Sequence, residues 1–263
     1  MKSFGLSRSH NQLGQKFDVL RQLVERDMKL LYKRSVLGVA WTLINPLLQL
    51  VVFAFVFQVI LPAGIPRYAS FTFTGLLVWN WFSSSLYQAT GVIIANRPLI
   101  RQPGFPLAIL PIVTTTTGLI HFLLALPVLI IFLLVDGIQL KTVVLFLPIL
   151  QALQFLLTVC LAYLLAALNV SLRDTQHTLG VILQLLFYVT PIFYDIKNVP
   201  PTFHFFYNLN PMVHIITAYR AVLIQGTQPD WQSLGIIAII MSICLPIGLK
   251  FFQRQSDRFV EEI

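Results

Sequence analysis

The sequence predicts an all-α polytopic membrane protein that crosses a bilayer six times, with both termini on the cytoplasmic side. Three observations carry that reading. Hydrophobic residues make up 57% of the 263 and charged residues only 11%, with a mean hydropathy of +0.79, whereas a soluble globule is roughly a quarter charged. Val36 to Leu61 is a run without Asp, Glu, Lys, Arg or His. At about 1.5 Å per helical residue it is long enough to cross a hydrocarbon core about 30 Å thick. Finally, threading the chain through six spans puts fourteen of the 18 Lys and Arg on one side and four on the other, which is the cytoplasmic bias of a multi-pass protein.

The elements follow in order. Residues 1–35 form a cytoplasmic segment, polar and loose to about residue 15. From Lys16 to Leu31, Phe17, Leu20, Val24, Met28 and Leu31 recur at helical spacing. Asp18, Arg21, Gln22, Glu25 and Lys29 fall largely opposite them, so this stretch predicts an amphipathic helix lying in the membrane interface. Arg26, Lys29, Lys33 and Arg34 hold the near end of span 1 (about 36–61) in the cytoplasm. Asn45-Pro46 predicts a kink within that span. A short outer loop with Pro62, Gly64, Pro66 and Arg67 leads to span 2 (about 71–95).

The cytoplasmic loop Asn96–Pro106 carries three prolines and two arginines. Span 3 (about 107–135) is expected to be interrupted by Pro111 and Pro127. Asp136-Gly137 is an outer turn, span 4 covers about 140–170, and Ser171 to Thr175 returns to the cytoplasm before span 5 (about 179–194). Residues 195–230 are broken by Pro200-Pro201, Asn210-Pro211, Gly226 and Pro229. Asn210 as N-cap, Pro211 in the first turn and Gly226 past the end frame a helix over 211–225. That helix is too short to cross, so with a turn near 202–207 it predicts re-entrant or interfacial half-helices on the outer side. A seventh crossing at Val213–Ile224 would strand Arg220 in lipid. Span 6 covers about 231–252, closing a transmembrane domain over 36–252, and 253–263 is a charged cytoplasmic tail.

Composition also excludes functions. The net charge of +8 is concentrated before Val36 beside the membrane, where anionic lipid accounts for it better than nucleic acid does. Cys160 and Cys244 both lie in apolar spans, so a disulfide is not expected, and the first thirty-five residues lack the apolar core of a cleavable signal. The only ionisable side chain deep in a span is His121, expected to bond a neighbouring helix. No pair of His has metal-ligand spacing, so no metal is expected. No Gly precedes a Lys, so a phosphate-cradling Gly-x-x-x-x-Gly-Lys loop cannot be written. If the protein moves something uphill, a partner supplies the energy.

The loop Asn96–Pro106 is the candidate docking point for that partner. Pro98, Pro103 and Pro106 stiffen it, Leu99, Ile100 and Phe105 offer an apolar knob, and Arg97 and Arg101 flank the knob. A plain connector with cytoplasmic arginines fits the residue types equally well. Aromatics crowd spans 1, 2 and 5 and the outer segment, among them Trp79, Trp81, Phe82, Tyr87, Phe187, Tyr188, Phe193 and Tyr194. An interfacial belt and a conduit lined by flat faces on which sugar rings slide both fit the composition.

Several stretches resemble the membrane subunits of type-2 ABC exporters, in the branch that exports O-antigen, capsule or teichoic-acid polymers. They are Arg26-Asp27 with Tyr32-Lys33, Ser35, Leu37-Gly38, Trp41 and Pro46-Leu47; Arg97-Pro98-Leu99-Ile100-Arg101 with Phe105-Pro106; and Leu172-Arg173-Asp174. Thr190-Pro191-Ile192-Phe193-Tyr194 follows, then Asn210-Pro211 with Tyr219-Arg220. The resemblance implies a homodimeric permease of the bacterial inner membrane that holds no cofactor itself, ATP and magnesium binding instead to two separate ATPase subunits. It implies that Arg97, Pro98, Leu99, Ile100, Arg101, Phe105 and Pro106 form a coupling element docked on the ATPase. Arg26, Asp27, Tyr32, Lys33, Arg173 and Asp174 would lie at the cytoplasmic interface. Pro191, Asn210, Pro211, Tyr219 and Arg220 would belong to an outer gate, and aromatics would line a channel for a lipid-linked glycan. The alternatives are an exporter of a hydrophobic small molecule and a membrane-embedded glycosyltransferase using Asp27 or Asp174.

Overall fold

The computed structural model describes residues 4–32, 38–62, 64–102 and 104–262, and among these every regular element is helical. Lys33 and the side chain of Tyr32 lie outside the described part. Helix α1 (Phe4–Tyr32) leads through a 3-10 turn at Gly38–Ala40 into α2 (Trp41–Ala54), which continues as a π-helical segment, Phe55–Ile60. Then come α3 (Tyr68–Ala95), the short α4 (Arg97–Ile100), α5 (Leu110–Val135), α6 (Leu147–Ser171) and α7 (Thr175–Val189). Two short helices, α8 (His204–Leu209) and α9 (Pro211–Arg220), precede α10 (Trp231–Glu262).

Among the described residues, four stretches are long and apolar enough to cross a membrane: Trp41–Ile60, Leu107–Val135, Thr142–Ser171 and Trp231–Ser256. The other two expected spans depart from that standard for different reasons. Helix α3 has 28 residues and is long enough, but it carries Ser, Thr, Asn and Gln. It is the centre of the bundle, packed by α2, α5, α6, α7 and α9, so its faces meet protein rather than lipid and polar residues are tolerated there. Helix α7 has only 15 residues, about 22 Å of rise. The backbone leaves helical geometry at Thr190, so the stretch expected over 179–194 is a shorter helix followed by bends.

Other boundaries shift too. The N-terminal residues expected to be loose are helical from Phe4. Helix α2 runs on through Pro46, and its departure from α geometry comes later, at Phe55–Ile60. Helix α5 likewise runs through Pro127, while Pro111 sits harmlessly in its first turn. The charged segment 253–262, expected as a separate tail, continues α10 without a break. The framing of 211–225 holds. Asn210 Oδ1 accepts from Met212 N at 3.0 Å, and a π turn at Ala221–Gln225 ends on Gly226 at φ 64°, where a Cβ would be strained.

Many polar groups inside the bundle are answered by helix contacts, although Ser85 Oγ, Gln154 Oε1 and the Tyr219 hydroxyl are buried without a hydrogen-bond partner. Thr114, Thr115, Thr116 and Thr117 return their hydroxyls to the carbonyls of Pro111, Ile112 and Val113. Trp81 Nε1 donates to Thr115 O at 3.2 Å, and Gln154 Nε2 to Val78 O at 2.9 Å, tying α3 to α5 and α6. Gly118 permits the α3–α5 approach, because a Cβ there would collide with Ser85 Oγ and the Trp81 ring. Small residues at such crossings are how helices associate where no hydrophobic force separates protein from lipid.

Candidate functional site

Three sites follow from this packing: one at each end of α3 and a groove along its length. At the α4 end a compact apolar cluster joins Leu23 and Val24 of α1 to Ile93, Ile100, Leu110, Tyr163 and Phe252. The stripe read on α1 holds for Leu20, Val24 and Met28, but Phe17 is exposed. Arg26 bonds Asp27 Oδ1 through Nε and Nη2 (3.0 and 2.7 Å), and its Nη2 also donates to Asn96 Oδ1 at 2.9 Å. Asn96 Nδ2 donates back to Val92 O, and Leu99 N donates to Asn96 O. The side chain of Asn96 thus ties α1 to the junction of α3 and α4.

The structure corrects the expected knob. Ile100 is buried, and Leu99 and Phe105 pack half-buried against the same cluster. They anchor the loop to its own subunit. The outward surface is Arg97, Pro98, Arg101 and Gln102; Pro106 is half-buried. Local apolarity in a short loop signals equally a surface knob and an anchor, and tertiary packing decided for the anchor. Arg173 and Asp174 are exposed on the α6–α7 turn at the same end. That turn is tied back through Gln176, whose N donates to Asn169 Oδ1 (3.0 Å) and whose Nε2 donates to Tyr87 O (3.2 Å).

Along α2, α3 and α7 runs a groove of about 690 Å³, lined by Trp41, Asn45, Gln49, Asn80, Ser83, Ser84 and Tyr87 among others. A neighbouring hollow of about 450 Å³ shares Gln49, Asn80 and Ser83 with it and adds Gln184, Phe187 and Tyr188. The sequence reading missed this set, although it was legible. Asn80, Ser83, Ser84 and Tyr87 stand at i, i+3, i+4 and i+7, and Asn45 and Gln49 at i, i+4, each a single helical face. The expected aromatic lining divides. Trp79, Trp81 and Phe82 are at most 5% exposed and sit mainly in the core, with Trp81 reaching the edge of the groove and Trp79 that of the neighbouring hollow. Tyr87 and Tyr188 are exposed, whereas Phe187 and Phe193 join a stack in which Phe53 and Phe193 lie 4.9 Å apart at 4°. Tyr194 closes its hydroxyl on Val189 O at 2.6 Å and on the Tyr207 hydroxyl at 2.8 Å.

At the α9 end the organising side chain is Arg220, 5% exposed. Its Nη1 donates to Pro191 O and its Nη2 to Ile192 O, both at 2.6 Å. Nε and Nη2 reach Phe71 O at 3.3 and 3.2 Å, and the guanidinium stands 3.4 Å over the Phe71 ring. A planar cation with five donors is suited to several carbonyls at once. Gly75 makes the room, since a Cβ there would sit 2.9 Å from both Arg220 Nη2 and Ile192 O. Asn210 Nδ2 adds a bond to Thr190 Oγ1 at 3.0 Å, and Tyr68 donates to Phe193 O at 3.1 Å. Tyr219 is fully buried against Phe122. Pro191, Asn210 and Arg220 therefore meet in a clasp fastening 190–225 to α3, whereas Tyr219 faces Phe122 of α5 and Pro211 only opens α9. His121, read as a bond to a neighbouring helix, lies 3.2 Å from Met28 Sδ of α1. Among the described residues no three His, Cys, Asp or Glu are grouped to hold a metal.

A bundle of apolar helices with a polar groove along its central helix and a braced, arginine-bearing turn at one end defines a multi-pass membrane transport subunit. The chain belongs to the ABC-2 type transporter family, whose model matches residues 18–224. It is 34% identical over 249 residues to the O-antigen export system permease protein RfbA of Myxococcus xanthus, covering 93% of this chain and 95% of that one. It is 32% identical over 250 residues to the RfbA protein of Klebsiella pneumoniae, covering 95% and 96%. The polysialic acid transport protein KpsM of Escherichia coli is 22% identical over 256 residues, covering 92% and 96%.

Proposed function

We propose that this chain is the transmembrane subunit of an ABC exporter that moves a lipid-linked polysaccharide across the bacterial inner membrane. The single observation that carries the reading is the full-length likeness to O-antigen export permeases, and the groove chemistry agrees with it. Asn45, Gln49, Asn80, Ser83 and Ser84 offer hydroxyl and amide partners, with no Asp, Glu, Lys or Arg in the lining. Tyr87 and Tyr188 offer exposed ring faces. Such a wall lets neutral sugar hydroxyls exchange partners without a charge to trap them.

In this reading two copies assemble with their α2–α3–α7 grooves facing a shared conduit. All of α2, α3, α5, α6, α7 and α10 are placed in the bilayer, giving six membrane helices. The short α7 is completed by the bends at 190–194, and both termini are cytoplasmic. Helix α1 lies along the inner interface, and α8 and α9 form the outer re-entrant segment. A separate pair of ATPase subunits binds ATP and magnesium and docks against Arg97, Pro98, Arg101 and Gln102. Because Ile100, Leu99 and Phe105 anchor that turn in the subunit, and Arg26 clamps Asn96, a push on the turn reaches α3 and α1 as a rigid displacement. Cells deprived of the chain are expected to lose the surface polymer and to accumulate its lipid-linked form inside. Intact surface polymer combined with sensitivity to a hydrophobic drug would instead indicate a small-molecule exporter.

A further inference from the structure

A second groove, of about 740 Å³, lies between α8, α9 and α10 and shares no residue with the first. The polar lining is the rim formed by Asn208, His214, Asp230 and Ser233, together with Thr217, whose hydroxyl is taken up by Val213 O at 2.7 Å. Below the rim the walls are apolar, with Val213 and Ala218 on one side and Ile236, Ile237, Ile240 and Met241 on the other. Asp230 to Met241 is about 16 Å along a helix axis, close to half of a hydrocarbon core about 30 Å thick. The slot is thus as deep as one leaflet, opens from a helix apolar enough to cross the membrane, and is wet at one end only. These dimensions fit a single acyl chain with its headgroup at the rim.

The rim selects the headgroup. Asp230 Oδ1 accepts from Gln232 N at 3.1 Å and Ser233 N at 3.4 Å, and Oδ2 accepts from Ser233 Oγ at 2.6 Å. These bonds hold the carboxyl below its ordinary range, so it stays ionised. The lining contains no Lys or Arg, and its one other titratable side chain, His214, turns its Nε2 to Asn208 O at 2.9 Å, so an anionic headgroup would meet the Asp230 carboxylate with no fixed cation to offset it. A primary ammonium would find a carboxylate with exposed oxygen. We propose that this groove is a binding site for one aminophospholipid of the phosphatidylethanolamine class, its ammonium on Asp230 and one chain along α10. The proposal rests on the membrane placement given above, but not on the polymer exported.

The test is native mass spectrometry of the full chain released from bilayers containing equal phosphatidylethanolamine and phosphatidylglycerol. Wild type is expected to retain one phosphatidylethanolamine per chain through mild delipidation, with a roughly threefold preference, as for an exposed ion pair. Asp230→Asn keeps a good helix N-cap and removes the charge, so retention should persist while the preference falls to about one. Thr217→Trp fills the groove from an exposed position, so retention should be lost while thermal unfolding is unchanged. Equal retention of phosphatidylglycerol by wild type, capture of a polyprenyl phosphate in place of phospholipid, or undiminished retention in Thr217→Trp would each overturn the proposal. Polymer export by the same wild-type chain is read separately. Export without bound phosphatidylethanolamine sinks this inference alone, and bound lipid without export sinks the transport reading alone.

Discussion

Replacing Arg220 with Ala isolates the clasp at the α9 end. The guanidinium supplies Pro191 O and Ile192 O, each at 2.6 Å, with a donor. Phe71 O lies in the first turn of α3 and keeps its place in the helical ladder, so its loss counts little. Each of the other two carbonyls, left buried without a donor, costs about 1–3 kcal/mol. Removing the cation from the Phe71 face, where it is desolvated, costs about 1–2 kcal/mol more. Arg220→Ala is therefore expected to lower the unfolding free energy of the detergent-solubilised protein by about 3–8 kcal/mol. Arg220→Lys keeps the charge but lacks the planar fork, so it should recover roughly half of the loss. Chemical denaturation followed by the fluorescence of the core residues Trp79 and Trp81 reads the global value. Labelling of a cysteine placed at Phe193 reads whether 190–194 comes away from α3 first. Arg220→Ala unfolding within about 0.5 kcal/mol of wild type, the usual spread for an inert surface change, would show that the clasp bears no load.

Four further outcomes follow from contacts elsewhere in the bundle. Gly118→Ala should destabilise the α3–α5 crossing by about 1–3 kcal/mol through overpacking, and Ser85→Ala should restore part of that in the double variant, as a thermodynamic cycle would measure. At the α4 turn, Arg97→Glu with Arg101→Glu should leave folding unchanged yet abolish co-purification with the ATPase, whereas Ile100→Glu should lower the yield of folded protein by burying a charge. Asn96→Leu removes the acceptor for Arg26 and should cost about 1–3 kcal/mol, read by thermal unfolding, and reduce transport further than binding of the ATPase. Replacing both Asn80 and Gln49 by Leu should preserve assembly and ATP hydrolysis while polymer export falls, which a surface-glycan assay separates from misfolding.

How far the fold was legible depended on which neighbours each helix meets. The stretches long and apolar enough to cross a membrane, Trp41–Ile60, Leu107–Val135, Thr142–Ser171 and Trp231–Ser256, read directly from apolar length, since hydrocarbon imposes that requirement on any segment it touches. Helix α3 meets protein on nearly every face, and its placement rested on charge bias instead. The boundaries of α7 and α10 were misjudged because charge marks where lipid ends, while a helix stops only where its backbone does. Leu99, Ile100 and Phe105 were read as an outward knob because nothing local distinguishes docking on a partner from docking on Leu110 and Phe252. Arg220 is buried in protein, and its three carbonyl partners come from positions 28 to 149 residues away, a pairing no local pattern encodes. The polar face at 80, 83, 84 and 87 is legible as an i, i+3, i+4, i+7 pattern, but short hydroxyl and amide side chains beside Trp79, Trp81 and Phe82 carry a weak local signal.

The most direct test of the central claim is polymer movement in proteoliposomes. They would hold the purified chain, an ATPase subunit that co-purifies with it and a lipid-linked polysaccharide confined to one leaflet. Transfer of the glycan to the opposite side is expected only when both proteins and ATP are present, and it should stop with Arg97→Glu and Arg101→Glu together. ATP-independent transfer by the chain alone, or sugar transfer chemistry without movement, would contradict the account.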